Sequence, residues 1–372
     1  MKDLTLNYTA IGSLPYKGES APIEAINIVF ENYTEIPFWP QLPNYSHDED
    51  MVIQYAINMA GLTTDGSKYY FDEESEEFAV ALEEFYFDWE VISNANNFEE
   101  CEETLDKYAI SEKSSSTFRL FLEKIKNNSN VKYAKGSVTG AFTTATSISD
   151  KEGKCAYYNE ILRDIIAKTI ALKAIWQIKE IKKANSNITP IIFMDEPSVS
   201  QLGSSAFLTI EDNEVLEMFN VVSSLIKKFG GIVGMHCCGK SNWEIPINAS
   251  VDMINFDSFL YPQSVAIHHK KIQTFLNNGG ILAFGIIPTI DDELIQKITE
   301  EELIEKFESA VQMFVDKGLS KEQIIKQSFI TPSCGCGSLS INGALKVIYH
   351  TKKLSENLRE KYKEILWHQL LQ

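Results

Sequence analysis

Residues 231–257, GIVGMHCCGKSNWEIPINASVDMINFD, decide the fold class of this chain. The segment begins and ends with short apolar runs, GIVGMH (231–236) and VDMINFD (251–257), of the kind that form buried strands. Similar runs lie outward on both sides, at TAIGS (9–13), EIPFW (35–39), KGSVTG (135–140), PIIFMDE (190–196), ILAFGI (281–286) and KQSFIT (326–331). Segments with helical spacing separate the later runs, at roughly 157–183, 213–229, 263–277, 300–317 and 338–367. This alternation predicts a parallel sheet with helical crossovers.

Eight strands are the number that closes a (β/α)₈ TIM barrel, which is the predicted fold within the α/β class. The 372 residues are enough for such a barrel with an insertion, and no repeat or linker-like tract divides them. We therefore expect residues 1–372 to form a single barrel domain. A doubly wound open sheet is the alternative, but no G-x-G-x-x-G turn follows an early run.

Residues ~46–130 interrupt this alternation with a sequence pattern that is mostly typical of helices and contains no convincing strand. The part from Asp72 to Glu103 has 13 acidic residues and no Lys or Arg, with apolar residues at helical spacing between them. We interpret the segment as an acidic helical insertion with a solvated face. The alternative roles are a lid over the barrel mouth and a docking face for a basic partner.

Charge and composition exclude several classes of function. The chain has 34 Lys plus Arg against 52 Asp plus Glu, a net charge of -18 that disfavours nucleic acid and anionic membranes as partners. No run reaches the ~18 apolar residues of a membrane span, and the first residues lack the apolar core of a signal peptide. We expect a cytoplasmic protein in which the clustered cysteines serve metal binding or catalysis rather than disulfides, while the isolated Cys101 and Cys155 are structural. The oligomeric state is left open.

Chemically active side chains follow four of the predicted strands at their carboxyl ends. These are Asp195 and Glu196, then His236 and Cys238, then Asp257, and finally Cys334 within TPSCGCG (331–337). In a βα barrel, the carboxyl ends of the strands meet at one rim and carry the catalytic groups. We therefore expect these side chains to converge.

The His-x-Cys pair predicts a metal site. His236 and Cys238 lie two residues apart, so on an extended chain both point to the same side, while Cys237 points into packing. Cys334 can add a second thiolate. Three nitrogen and sulfur ligands leave a fourth position open, which is the pattern of catalytic zinc, and Asp257 is a candidate for that position. Either Asp195 or Glu196 could hold a substrate ammonium group.

Several motifs between about residues 10 and 345 resemble one known superfamily, which joins uroporphyrinogen decarboxylase, cobalamin-independent methionine synthase and the corrinoid-dependent methyltransferases. The matching text is IGSLP, PFWPQLP, SVTGAFT, FMDEPS, GMHCCGKSNW, INFD, GGILAFGIIPT and ITPSCGCGSLS. The resemblance implies zinc on His236, Cys238 and Cys334. It also implies that Asp195 binds the amino group of homocysteine.

The resemblance further implies a thiol methyltransferase of the short, single-barrel, methionine synthase-like type, acting in methionine biosynthesis. A methylated corrinoid, in the free form or on a corrinoid protein, or a folate-type molecule would donate the methyl group to a small thiol. Homocysteine is the first choice and coenzyme-M-like thiols the second. Ser13, Asp195 and Asp257 are the expected substrate-binding residues, with Asp195 and Glu196 in the catalytic set.

Two other functions remain open at this stage. One is a metal-free lyase similar to uroporphyrinogen decarboxylase, and the other is a non-catalytic corrinoid-binding module. A porphyrinogen has many carboxylates and favours an Arg-lined pocket. The chain has only Arg119, Arg163 and Arg359, all in predicted helices, which argues against the lyase.

Overall fold

The computed structural model describes residues 4–370, with the side chains of 206 and 367–370 left aside. Its strands are β1 (Leu62–Thr64), β2 (Tyr69–Phe71), β3 (Tyr133–Thr139), β4 (Ser149–Asp150), β5 (Thr189–Asp195), β6 (Ile232–Cys237), β7 (Met253–Asp257), β8 (Ile281–Ile287) and β9 (Ser328–Pro332). Its α-helices are α1 (Ala21–Asn32), α2 (Ile53–Ala56), α3 (Glu76–Asn94), α4 (Glu102–Asp106), α5 (Phe118–Ile125), α6 (Ala141–Ser147), α7 (Glu160–Ala184), α8 (Asp212–Lys228), α9 (Glu244–Asn248), α10 (Pro262–Ala266), α11 (His269–Asn277), α12 (Asp292–Lys297), α13 (Glu300–Val315), α14 (Lys321–Lys326), α15 (Ile341–Lys361) and α16 (Lys363–Leu370).

Six of the predicted strands form one curled, all-parallel sheet in the order β3-β5-β6-β7-β8-β9. Each pairs with its neighbour in parallel register, and helices follow every strand, so the predicted α/β class is confirmed. Parallel strands need such crossovers because a tight hairpin can join only antiparallel ones.

The other two predicted strands, 9–13 and 35–39, are not regular strands, although these segments pair with the edges of the sheet. Tyr8 bridges Ile330 of β9, and Phe38 bridges Lys135 of β3. A third bridge joins the two segments to each other, between Ser13 and Gln41. Prolines at 37 and 40 lack the N–H that a ladder requires, which explains why the pairing of the second segment stays local.

The interior of the sheet has its own apolar cluster, separate from the core between sheet and helices. It contains Leu4, Ile36, Ile191, Phe193, Met253, Ile281, Ala283 and Phe329. Most of these residues lie towards the amino ends of their strands, whereas the side chains at the carboxyl ends are polar. Apolar side chains therefore fill the end of the sheet where the strands begin, and polar side chains lie at the end where the strands finish.

The acidic insertion combines the helices α2 to α5 with an antiparallel hairpin. β1 and β2 pair with Leu62 opposite Phe71, and β2 extends the pairing to β4. The turn is set by Asp65, whose Oδ1 accepts from two backbone N–H groups, and by Gly66 at φ 89°. Asp-Gly is a hairpin signal, so the expectation of no strand in this segment is wrong for a reason visible in the sequence.

The outer face of α7 is where the later part of the insertion packs. Along its 25 residues α7 is buried almost all round, and two of its lysines pair with acidic residues of the insertion. Lys179 pairs with Asp106, and Lys183 pairs with Glu102 at 3.1 Å. This part of the acidic segment therefore covers a helix of the same chain. Within residues 4–370, the structure has no helix that combines the length and apolar character of a membrane span.

Candidate metal centre

The carboxyl ends of β5, β6 and β9 open into a cavity of about 490 Å³. Four of the side chains that line it are predicted site residues from these strand ends: Asp195, His236, Cys238 and Cys334. Ser13, a fifth predicted residue, lies on the same wall. The structure thus brings these five predicted site residues to one cavity.

His236, Cys238 and Cys334 converge on one point of this cavity, with their ligand atoms all within 4.8 Å of one another. Nε2 of His236 lies 3.0 Å from Sγ of Cys238, which lies 3.2 Å from Sγ of Cys334. A hydrogen bond from Cys238 lowers the pKa of Cys334, which favours its thiolate form. Zinc binds sulfur at about 2.3 Å and nitrogen at about 2.0–2.1 Å, so atoms this close can share one ion.

The chemistry of the three ligand atoms restricts which metal ions can bind. One imidazole and two thiolates suit zinc and other borderline or soft ions, whereas Mg²⁺ and Ca²⁺ prefer oxygen ligands. Three ligands would leave a tetrahedral ion with one position for another molecule, and all three ligand residues line the cavity. The structure therefore supports a His/Cys metal-binding group whose chemistry is compatible with zinc.

Asn255 of β7 orients the imidazole, a role that sequence reasoning missed. Its Oδ1 lies 2.5 Å from Nδ1 of His236, while its amide nitrogen donates to the carbonyl of Ala283 at 2.9 Å and to Thr331 at 2.6 Å. The two donations fix the amide, so the oxygen faces the ring and Nδ1 must carry the proton. Nε2 is then left with a free lone pair towards the thiols. No local pattern in the sequence singled out Asn255, because its role depends on His236 in the neighbouring strand.

Replacing Asn255 by alanine is expected to weaken zinc binding about 10–100-fold, because the ring loses the partner that fixes its tautomer. Competition with a chromophoric chelator measures this affinity. Asn220→Ala is a suitable control, since Asn220 caps a remote backbone group at Ser250. Equal zinc affinities of the two variants would contradict the assigned role.

Asp195 lies at the cavity wall with an unusual environment. Its Oδ1 is buried without a hydrogen-bond partner. Burial raises its pKa to about 6, against the opposing influence of Lys135 and His236. Lys135 is itself buried, donates to the carbonyl of Ile11 and lies 4.7 Å from the ring centre of Phe193. The carboxyl group thus retains an unused acceptor.

Glu196, by contrast, is directed away from the cavity to the amino end of α6. It is fully buried and accepts from the backbone N–H of Phe142 at 3.1 Å, from that of Thr143 at 2.8 Å and from the Thr143 hydroxyl at 2.7 Å. Burial raises its pKa to about 7 although these donors oppose the shift. The structure therefore does not bring Glu196 to the proposed substrate, and its geometry indicates a cap for α6.

Asp257 is also outside the three-residue cluster. Its Oδ1 accepts from the backbone N–H groups of Phe259 and Leu260, at 3.1 and 2.9 Å, and so holds the turn after β7. The group of residues able to hold a metal contains only the histidine and the two cysteines within residues 4–370. The structure thus gives no support to Asp257 as the fourth ligand, nor does it place this residue in the cavity lining.

The loop that carries Cys334 is held by Ser13. The carbonyl of Ser13 accepts from the backbone N–H of Cys336 at 2.9 Å, and its hydroxyl accepts from that of Gly337 at 3.2 Å. A Cβ atom on Gly335 would lie 2.1 Å from the Ser13 hydroxyl oxygen, which explains the glycine. Cys237 and Cys336 are both buried in the core, as expected for cysteines that pack rather than bind.

Comparison with known proteins does not place the chain, since neither a protein-family model nor a curated protein sequence matches it.

Proposed function

We propose that the protein is a zinc-dependent methyltransferase that moves a methyl group to a small thiol, with homocysteine as the first candidate. The observation that carries this proposal is the convergence of His236 Nε2, Cys238 Sγ and Cys334 Sγ beneath a cavity large enough for such a molecule. The sequence resemblance to thiol methyltransferases supports the same reading.

The proposal includes a closed (β/α)₈ barrel as scaffold. The backbone pairing of the amino-terminal segments supports it: Leu6 and Thr9 donate to β9, Trp39 donates to β3, and Leu14 donates to Gln41. Added to the six regular strands, these contacts support a ring of eight segments as the proposed scaffold. The interior cluster contains residues from both additional segments, Leu4 and Ile36, which fits the filled interior of such a barrel.

A zinc ion held by the three side chains would bind a substrate thiol as its thiolate at neutral pH, and the thiolate is the nucleophilic form. The chain's own residues supply the rest. Asn255 keeps the proton of His236 on Nδ1, and Asp195 offers a carboxylate oxygen to a substrate ammonium. In the transfer, the sulfur–methyl bond forms as the donor–methyl bond breaks, and the electron pair of that bond stays with the donor. Holding the reactants in line supplies the rate gain.

The methyl donor in this proposal is a methylcorrinoid or a folate-type molecule, either free or carried by a corrinoid protein. This part rests on the resemblance alone. The competing lyase reading is disfavoured by the cavity, because among the described residues that line it none is Arg or Lys. A substrate with many carboxylates would find no cationic side chain there. Arg163 is occupied at 2.8 Å by Glu214, outside the lining.

Methyl transfer from methylcobalamin to homocysteine, followed by mass spectrometry of methionine, tests the proposal. The zinc-loaded protein is expected to form methionine, and Cys334→Ala is expected to abolish it while circular dichroism stays unchanged. Cys336 is a buried cysteine two residues away, so Cys336→Ala serves as the control and should retain activity. Methionine formation by Cys334→Ala at the wild-type rate would contradict the proposal, as would its absence from the wild type with methylcobalamin and methyltetrahydrofolate alike.

A further inference from the structure

The charge of the cavity wall is negative, and this has a consequence for the substrate. Three acidic residues, Glu49, Asp50 and Asp195, belong to the cavity lining, and no Lys or Arg joins them among the described lining residues. Lys135 attracts Asp195 electrostatically, but it is buried and does not belong to this lining. An anionic group entering the cavity would therefore meet like charge, whereas an ammonium would meet opposite charge.

One wall of the cavity comes from the insertion, through α2 and the residues just before it. Glu49 there is buried, and its two carboxylate oxygens accept from the backbone N–H groups of Leu42 and Ser116, at 2.8 and 2.9 Å. These bonds fix the segment against the rest of the chain. The insertion thus contributes directly to the cavity, in addition to covering α7.

Gln54 of α2 lines the cavity and has an unused acceptor. Its side chain is 1% exposed, and its amide nitrogen donates to the carbonyl of Ser114. This bond orients the amide, and Oε1 is left buried without a partner. A buried acceptor without a donor costs free energy, of the order of 1–3 kcal/mol, which a ligand that supplies the donor would recover. Asp195, which lines the same cavity, likewise has a buried oxygen, Oδ1, without a hydrogen-bond partner.

We infer that the cavity selects a thiol that also carries an ammonium group, and that Gln54 is a specificity-determining residue which accepts a hydrogen bond from that group together with Asp195. This inference rests on the proposed function, because it assumes that a thiol occupies the cavity. It extends that function by excluding from the substrate class thiols whose only charged group is anionic, such as mercaptosulfonates. It also assigns a role in recognition to the insertion.

Three two-carbon thiols that differ only in their terminal group test the inference: cysteamine with an ammonium, 2-mercaptoethanol with a hydroxyl and 2-mercaptoethanesulfonate with a sulfonate. Their binding to the zinc-loaded protein is measured by calorimetry. Because their thiol pKa values differ, the decisive quantity is how each affinity changes on substitution. Gln54→Met is expected to lower the affinity for cysteamine about tenfold and to leave the affinities for the other two thiols within about twofold. The reason is that only cysteamine supplies a charged donor to Oε1.

Gln177→Met is the matched control. Gln177 is also fully buried, donates to a backbone carbonyl (that of Ser137, at 3.0 Å) and has an unpartnered Oε1, but it lies outside the cavity lining. Its replacement should change none of the three affinities. Asp195→Asn should lower the affinity for cysteamine and raise the affinity for 2-mercaptoethanesulfonate, because the substitution removes a negative charge from the cavity.

Equal weakening of all three thiols by Gln54→Met, or the same selective loss in Gln177→Met, would overturn the inference and leave the proposed function intact. If none of the three thiols binds the zinc-loaded protein, the proposed function fails and the inference fails with it. Selective loss of cysteamine binding in Gln54→Met alone supports both.

Discussion

Replacing Cys334 by alanine is expected to lower the zinc content of the purified protein from about one ion per chain to near zero. The physical reason is that the cluster offers only three ligand atoms, so removing one thiolate leaves a histidine and a single cysteine. Elemental analysis after dialysis against a weak chelator measures the content. Cys238→Ala and His236→Ala should behave in the same way.

Two cysteines close to the ligands in sequence serve as controls. Cys237 and Cys336 are buried in the core, 0% and 3% exposed, and neither belongs to the cluster. Their alanine variants should retain zinc, although each should lose some stability because a buried side chain is removed. Zinc retained by Cys334→Ala, or lost from Cys336→Ala, would show that the ion is bound elsewhere.

Replacing Glu196 by alanine is expected to lower the free energy of unfolding by about 3–5 kcal/mol. The substitution leaves the N–H groups of Phe142 and Thr143 without their acceptor at the start of α6 and opens a cavity in a fully buried position. Gly140→Ala should produce a similar loss, because its Cβ would lie 2.0 Å from Glu196 Oε1 and displace the carboxylate. Urea denaturation of the zinc-free protein measures both effects.

The control for Glu196 is Glu244, which also lies in the first turn of a helix but is exposed and paired only with Lys271. Glu244→Ala should change the free energy of unfolding by less than about 1 kcal/mol, as is usual for a surface ion pair. A loss below 1 kcal/mol for Glu196→Ala would contradict the assigned capping role. It would also reopen a direct part for this carboxylate in the chemistry.

The sequence contained enough information to bring the metal ligands together. His236 and Cys238 follow an apolar run at a spacing of two, and Cys334 follows another, so the strand-end rule for parallel sheets was sufficient to bring them to one point. Asp195 and Glu196 could not be separated in this way, because they are adjacent and equally acidic. Only the packing of α6 against the strand end decides which of them faces the cavity.

Contacts between segments distant in sequence were beyond prediction. Asn255 is a plain residue in an apolar run, and its role depends on His236 in the neighbouring strand. Gln54 gave no signal either, since its importance comes from where the insertion lies in space rather than from any local pattern. The acidic face of the insertion was likewise assigned to solvent, whereas part of it pairs with lysines of α7.

X-ray absorption at the zinc edge tests the central claim most directly, because it counts the sulfur atoms around the ion. For the zinc-loaded protein we expect two sulfur ligands at about 2.3 Å with lighter atoms at about 2.0–2.1 Å, and a third sulfur after a thiol substrate is added. A first shell without sulfur, or one that stays unchanged when a thiol is present in excess, would contradict a metal centre on His236, Cys238 and Cys334 with a position for substrate.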